Sequence, residues 1–199
     1  SGMAAILSTV MGLMKAGEHI VCSASVFGST VQLFGTVMKR FGVATTCVSG
    51  TDVANWQAAI QPNTKILFVE TPSNPLGEVS DIAAIAAAAK KAGAALAVDN
   101  AVCTPALQRP LEFGADLVIH SATKYLDGQG RVLGGAVLGA KGPAMDAVFG
   151  FLRTAGPSLS PFNAWVILKG IETLELRMLA QSERALDLAR WLEGQPKVA

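Results

Sequence analysis

The chain has 199 residues, 51% of them hydrophobic and 16% charged, enough apolar material to bury a substantial core and better suited to one domain than to two. A formal net charge of +1, with no run of like charges, excludes a nucleic-acid track and a face for anionic membranes, so the partners expected are small molecules or further copies of the chain. Apolar stretches such as Ile82 to Ala89 are far shorter than the roughly 20 residues of a membrane-spanning helix, and Cys22, Cys47 and Cys103 form no CxxC pair, which points to a reducing cytoplasm.

Ser1-Gly2-Met3 runs directly into a helical pattern with Met3, Ile6, Leu7, Val10, Met11 and Met14 on one face, and no basic leader is visible. The expectation is a piece of a longer protein, cut at both ends. Helices near 3–15, 28–41, 52–60 and 81–92 alternate with β-rich runs at His19–Ser23, Val43–Val48, Lys65–Glu70, Ala94–Asp99 and Asp116–His120, and a further apolar run covers Val132–Leu138. These runs are continuously apolar, as strands are when helices cover both faces of a parallel sheet. The fold class expected is therefore α/β, three-layered, around a mainly parallel sheet. Residues 160–199, free of Gly and Pro between Gly170 and Glu193, are expected to form one long connector helix toward a C-terminal domain.

Ligands of open parallel sheets sit at the carboxyl ends of the strands. There Glu70 opens Thr71-Pro72-Ser73-Asn74-Pro75, Val98 opens Asp99-Asn100, and His120 opens Ser121-Ala122-Thr123-Lys124. These side chains match the needs of pyridoxal 5′-phosphate (PLP): a lysine amine for the Schiff base, a carboxylate opposite the pyridine nitrogen, phosphate donors and an aromatic face. Lys124 supplies the amine, Asp99 favours the protonated ring, Ser121 and Thr123 donate to phosphate, Gly2 and Met3 offer amides at a helix start, and Phe27 stacks. Each residue also has an ordinary use: Lys124 as a solvated surface lysine, Asp99 as a turn cap, Ser121 and Thr123 as turn formers, Ser1-Gly2 as a helix cap, Phe27 as core, and Thr71–Pro75 as a rigid turn. Gly128-Gln129-Gly130-Arg131 lacks the spacing and context of a dinucleotide loop, and His19, His120 and the cysteines are too scattered for a metal site.

Glu70-Thr-Pro-Ser-Asn-Pro75, Val98-Asp-Asn100 and Ser121-Ala-Thr-Lys-Tyr125 occur in the order and approximate spacing of the Cys/Met-metabolism family of PLP enzymes, which the whole chain resembles. The resemblance implies the aspartate-aminotransferase-like fold type I, with residues 1–159 as a PLP-binding large domain lacking its N-terminal part. It also implies Lys124 as the Schiff-base lysine, Asp99 as the pyridinium partner, Ser121, Thr123, Gly2 and Met3 as phosphate ligands, and Asn74 as a neighbour of the cofactor hydroxyl or substrate. Within the family, the run from Ser121 to Gly135 resembles O-succinylhomoserine sulfhydrylases most, and Phe27, where many lyases of the family carry tyrosine, agrees with that. The activity implied is replacement of the γ-acyloxy group of O-succinylhomoserine, or another acylhomoserine, by sulfide to give homocysteine in methionine biosynthesis, by a homotetramer. Cystathionine γ-synthase or γ-lyase activity, and a truncated PLP-binding core without catalysis, are the alternatives. The family's partner-subunit tyrosine and arginine and its substrate-carboxylate arginine match no position here.

Overall fold

The computed structural model describes residues 1–198. Six strands form one sheet in the order β2-β1-β3-β4-β5-β6, from β1 (His19–Ser23), β2 (Ala44–Val48), β3 (Thr64–Glu70), β4 (Ala95–Asp99), β5 (Leu117–His120) and β6 (Ala136–Gly139). The first five pair in parallel; β6 runs antiparallel to β5, with His120 opposite Ala136. The fold is thus α/β with a mainly parallel sheet, as the apolar runs predict. The run over 132–138 yields strand only from Ala136, because Gly134 is held by both its N–H and its C=O to Thr123 instead of to a neighbouring strand.

Pleating sends alternate side chains of each strand to opposite faces, and both faces are apolar. Ile20, Ile66, Phe68, Ala97, Leu117 and Ile119 pack in one core with Ile6 and Val10 of α1 (Gly2–Leu13) and with the segment that follows β1. Val21, Leu67, Val69, Leu96 and Val98 pack on the other face under Trp56 of α3 (Val53–Ala59) and Ile82, Ile85 and Ala89 of α4 (Ile82–Ala92). The layers are therefore three. Each fully buried Ile, Leu or Phe of these clusters contributes about 1.5–3 kcal/mol, which explains why continuous apolar strands hold the sheet between its helices.

Local chemistry sets the helix boundaries. The Ser1 hydroxyl accepts the Ala4 N–H and starts α1, and Asp81 does the same for α4 through Ala84. The helix expected over 28–41 is α2 (Gly28–Gln32) continued as a wider π-type turn over Leu33–Met38. A short α5 (Thr104–Leu107) follows β4. Helix α6 (Pro143–Ala155) is absent from the sequence reading, although Met145, Val148, Phe149 and Leu152 carry helical spacing between Pro143 and Gly156.

The single connector helix expected over 160–199 is instead two, α7 (Pro161–Ile171) and α8 (Leu174–Glu193). The break has a side-chain cause. Arg177 reaches back from α8, donating from Nη2 to the Gly170 carbonyl (2.8 Å) and from Nε to Thr173 Oγ1 (3.2 Å), so it satisfies the end of α7 instead of letting the ladder continue.

Candidate active site

A cavity of about 600 Å³ opens at the carboxyl ends of β3, β4 and β5, beside the start of α1. All eight residues singled out from the sequence, Gly2, Met3, Phe27, Asn74, Asp99, Ser121, Thr123 and Lys124, line it. They come from five separate segments, brought together because parallel strands end on the same edge and α1 packs across that edge with its first turn inward.

At the α1 end the backbone approaches closely. A Cβ on Gly2 would stand 2.7 Å from Ser121 Cβ, so only glycine lets the first helical turn lie against the strand β5 exit. The first N–H groups of a helix have no intrahelical acceptor and carry its positive end, a geometry able to cradle an anion. Ser121 makes no capping bond with its hydroxyl. Thr123 is committed differently: its hydroxyl donates to the Gly134 carbonyl (3.2 Å) and accepts the Gly134 N–H (3.0 Å), closing the 123–134 loop.

Lys124 lies in a π-type turn, Ala122–Leu126, that its own backbone interrupts (φ −88°, ψ −121°). Its carbonyl accepts the Gly128 N–H (2.8 Å), and its side chain is exposed at the cavity. The turn is anchored from behind. Asp127, fully buried, takes the Arg131 Nε (2.8 Å) and the Arg131 N–H (2.7 Å), while Leu126 packs with Ile167 of α7 and with Leu174 and Met178 of α8. Gly128 and Gly130 line the cavity without the strand–turn–helix setting of a dinucleotide loop.

Asp99 both caps a turn and faces the cavity: Oδ1 accepts the Ala101 N–H (3.0 Å). Burial, with the neighbouring Glu70 charge, pushes its carboxyl up to about 7 against that one backbone bond. An acid so placed gains from a cationic partner. Phe27 is 45% exposed at the cavity, so its ring is not core. The next residue after β5's apolar stretch, His120, is buried, and desolvation pulls its imidazole down to about 4 in spite of a backbone bond at Asn100.

This donor set suits PLP: an anion cradle with a free hydroxyl at one end, an amine alongside, a buried carboxylate that favours a cation, and an exposed aromatic ring. Among the described residues no three of His, Cys, Asp and Glu come together as metal ligands, and no helix is long and apolar enough to cross a membrane.

Glu70, Tyr125 and Gln181 also line the cavity and were not singled out. Gln181 belongs to α8, whose return to the site no local pattern announces. Glu70 is 4% exposed; its Oε2 accepts the Phe27 N–H (2.7 Å) and its Oε1 the Asn74 N–H (2.9 Å). Its signal was present in the sequence, as an acidic residue ending an apolar strand that must be paired to be buried.

The family model described as Cys/Met metabolism PLP-dependent enzyme matches residues 1–199. An O-succinylhomoserine sulfhydrylase of Pseudomonas aeruginosa is 61% identical over 198 residues, covering 100% of this chain and 49% of the relative. A cystathionine gamma-lyase of Bacillus subtilis is 42% identical over 198 residues, covering 100% of this chain and 52% of the relative. The crystal structure of metB from Corynebacterium glutamicum superposes with a TM-score of 0.98 at 37% identity, over 100% of this chain and 52% of that one. The chain thus spans about half the length of the relatives it matches.

Proposed function

The chain belongs to the Cys/Met-metabolism family of PLP-dependent enzymes, and from that premise we propose that it is the cofactor-carrying part of an enzyme that replaces the succinyloxy group of O-succinylhomoserine with sulfide. The observation that carries the reading is the convergence of a lysine, a buried carboxylate, a helix start and an exposed phenylalanine on one cavity. In that reaction the γ C–O bond breaks, a C–S bond forms, and succinate leaves with no net redox change. When bound, PLP supplies an aldehyde for amine attachment and a cationic ring that withdraws electrons from the substrate's α-carbon.

The chain's own residues do the rest. Lys124 Nζ would hold the cofactor and, as a free amine, would take the α-proton and then a β-proton from the substrate and later return them. Asp99 holds the ring-nitrogen proton, since burial leaves its carboxylate in need of a cation. The Gly2 and Met3 amides with the Ser121 hydroxyl would bind phosphate, Thr123 would join them only by turning its hydroxyl proton away from the Gly134 carbonyl, and Asn74 would flank the cofactor hydroxyl or the substrate. Phe27 covers the ring and, having no hydroxyl, takes no part in proton transfer.

We place this activity in a cytoplasmic homotetramer. Its three cysteines are free, and Phe162, Trp165, Leu176 and Trp191 expose large apolar surfaces along α7 and α8 that suit burial against further polypeptide. The test is the absorbance spectrum of the chain with PLP before and after borohydride reduction, with peptide mapping. A band at the edge of the visible and label fixed on Lys124 support the reading; label elsewhere sinks it. Homocysteine formation by the whole protein from O-succinylhomoserine and sulfide, set against cystathionine formation with cysteine and against elimination, then separates the sulfhydrylase from a γ-synthase, a γ-lyase or a core without turnover.

A further inference from the structure

One buried acid in the cavity wall, Glu70, has no role in the chemistry above. Glu70 ends β3 as the register partner of Asp99 on β4, and its two oxygens accept two loop amides that lie 47 positions apart in sequence, Phe27 on the loop after β1 and Asn74 on the loop after β3. Charge-assisted bonds of this kind are stronger than neutral ones and fix the backbone rather than a side chain. The Phe27 ring, half exposed, is held by little core packing, so the position of its loop depends on the backbone: its carbonyl starts α2 through Thr30 and its N–H goes to Glu70.

We propose that Glu70 is a positioning residue of the cofactor site, its carboxylate tying the Phe27 loop and the Asn74 loop to one point so that ring and amide side chain face the cavity together. The inference rests on the PLP reading. Both amides are donors, and the carboxylate gives each of them its own charged acceptor oxygen. Glutamine offers one acceptor and turns an NH₂ toward the other amide. Aspartate keeps the charge beside Asp99 but is one methylene shorter.

The experiment compares the wild-type chain with E70Q and E70D by hydrogen exchange of the peptides around 24–31 and 72–78, by titration with PLP, and by the circular dichroism of the cofactor band. The expected result is faster exchange in both peptides with the sheet peptides unchanged, PLP affinity at least tenfold lower, and an altered cofactor dichroism in both variants. E70D keeps the charge and answers the question if E70Q does not fold. Wild-type affinity and dichroism in E70D overturn the proposal, since charge without reach would then suffice; unchanged exchange in both loops overturns it equally. If the wild-type chain itself binds no PLP, the cofactor reading fails and this inference with it, an outcome told apart by being seen before any substitution.

Discussion

Glu70 and Asp99 are register partners on adjacent parallel strands, so two carboxylates end side by side in the wall of one cavity. They are unequal. Glu70 accepts two backbone amides, which oppose the rise that burial alone imposes on its carboxyl, whereas Asp99 accepts one and is pushed up to about 7 by burial and by the Glu70 charge. A cation beside Asp99 would offset what burial and the Glu70 charge impose on its carboxylate.

This arrangement costs stability in the cofactor-free chain. With a folded value of about 7 against 3.8 unfolded, Asp99 binds its proton more tightly in the fold, so its contribution is most favourable below about pH 4, declines as pH rises to about 7, and is constant above that. Asp99→Asn removes the charge cost while keeping the shape. Thermal melts of the cofactor-free chain should show the variant gaining on wild type between pH 5 and pH 8, on the order of a few kcal/mol at most, while losing PLP affinity. Parallel pH curves for the two proteins would contradict the assignment.

His120 tilts the same pH range the other way. Its folded value of about 4 lies below the unfolded 6.5, so the unfolded chain takes up the proton first; the neutral imidazole's contribution is full above about pH 6.5 and is lost as pH falls toward 4. His120→Gln, uncharged throughout, should lose less stability than wild type, or gain more, as pH falls from 7.5 to 5, even where its absolute stability is lower. Urea titrations at pH 7.5 and pH 5 measure this, and an equal fall in both proteins would rule it out.

Ser121 and Thr123, two residues apart, should behave differently. Ser121→Ala removes a hydroxyl without a capping bond and should leave the melting temperature almost unchanged while weakening PLP binding about tenfold, the net loss of one charge-assisted bond. Thr123→Val leaves the Gly134 N–H without its acceptor, while the Gly134 C=O keeps the Thr123 backbone N–H (3.2 Å), and should cost about 1–3 kcal/mol in the cofactor-free chain. Cofactor-free melts paired with PLP titrations decide the matter; a stable Thr123→Val chain would show that the 123–134 loop is closed by something else.

Gly170 seats α7 on the turn that carries Lys124, because an added Cβ would collide with the Leu126 and Asp127 carbonyl oxygens. Backbone cannot swing aside as a side chain does. Gly170→Ala should therefore destabilise the chain by about 1–3 kcal/mol through overpacking and loosen the Lys124 turn. Denaturant unfolding gives the energy, and hydrogen exchange over 121–131 gives the location; a neutral substitution with unchanged exchange would mean that α7 adjusts without moving the turn.

The sequence by itself determined the layered sheet and the strand edge on which the cavity opens. Apolar runs such as Ile66–Val69 and Leu96–Val98 are continuous because both faces of the sheet are covered, and that is visible in one dimension. Polar residues that follow such runs must lie at the strand ends, so Asp99 and the 121–124 segment were legible before any contact was known. The direction of β6 was not, since an apolar run carries no sign for parallel or antiparallel pairing, and neither was the break between α7 and α8, which depends on Arg177 folding back to Gly170. Only the tertiary structure decided what Glu70 does. Its two partners come from loops at positions 27 and 74, and they meet at one carboxylate because β1 and β3 are neighbours in the sheet, a proximity produced by packing rather than by any local spacing.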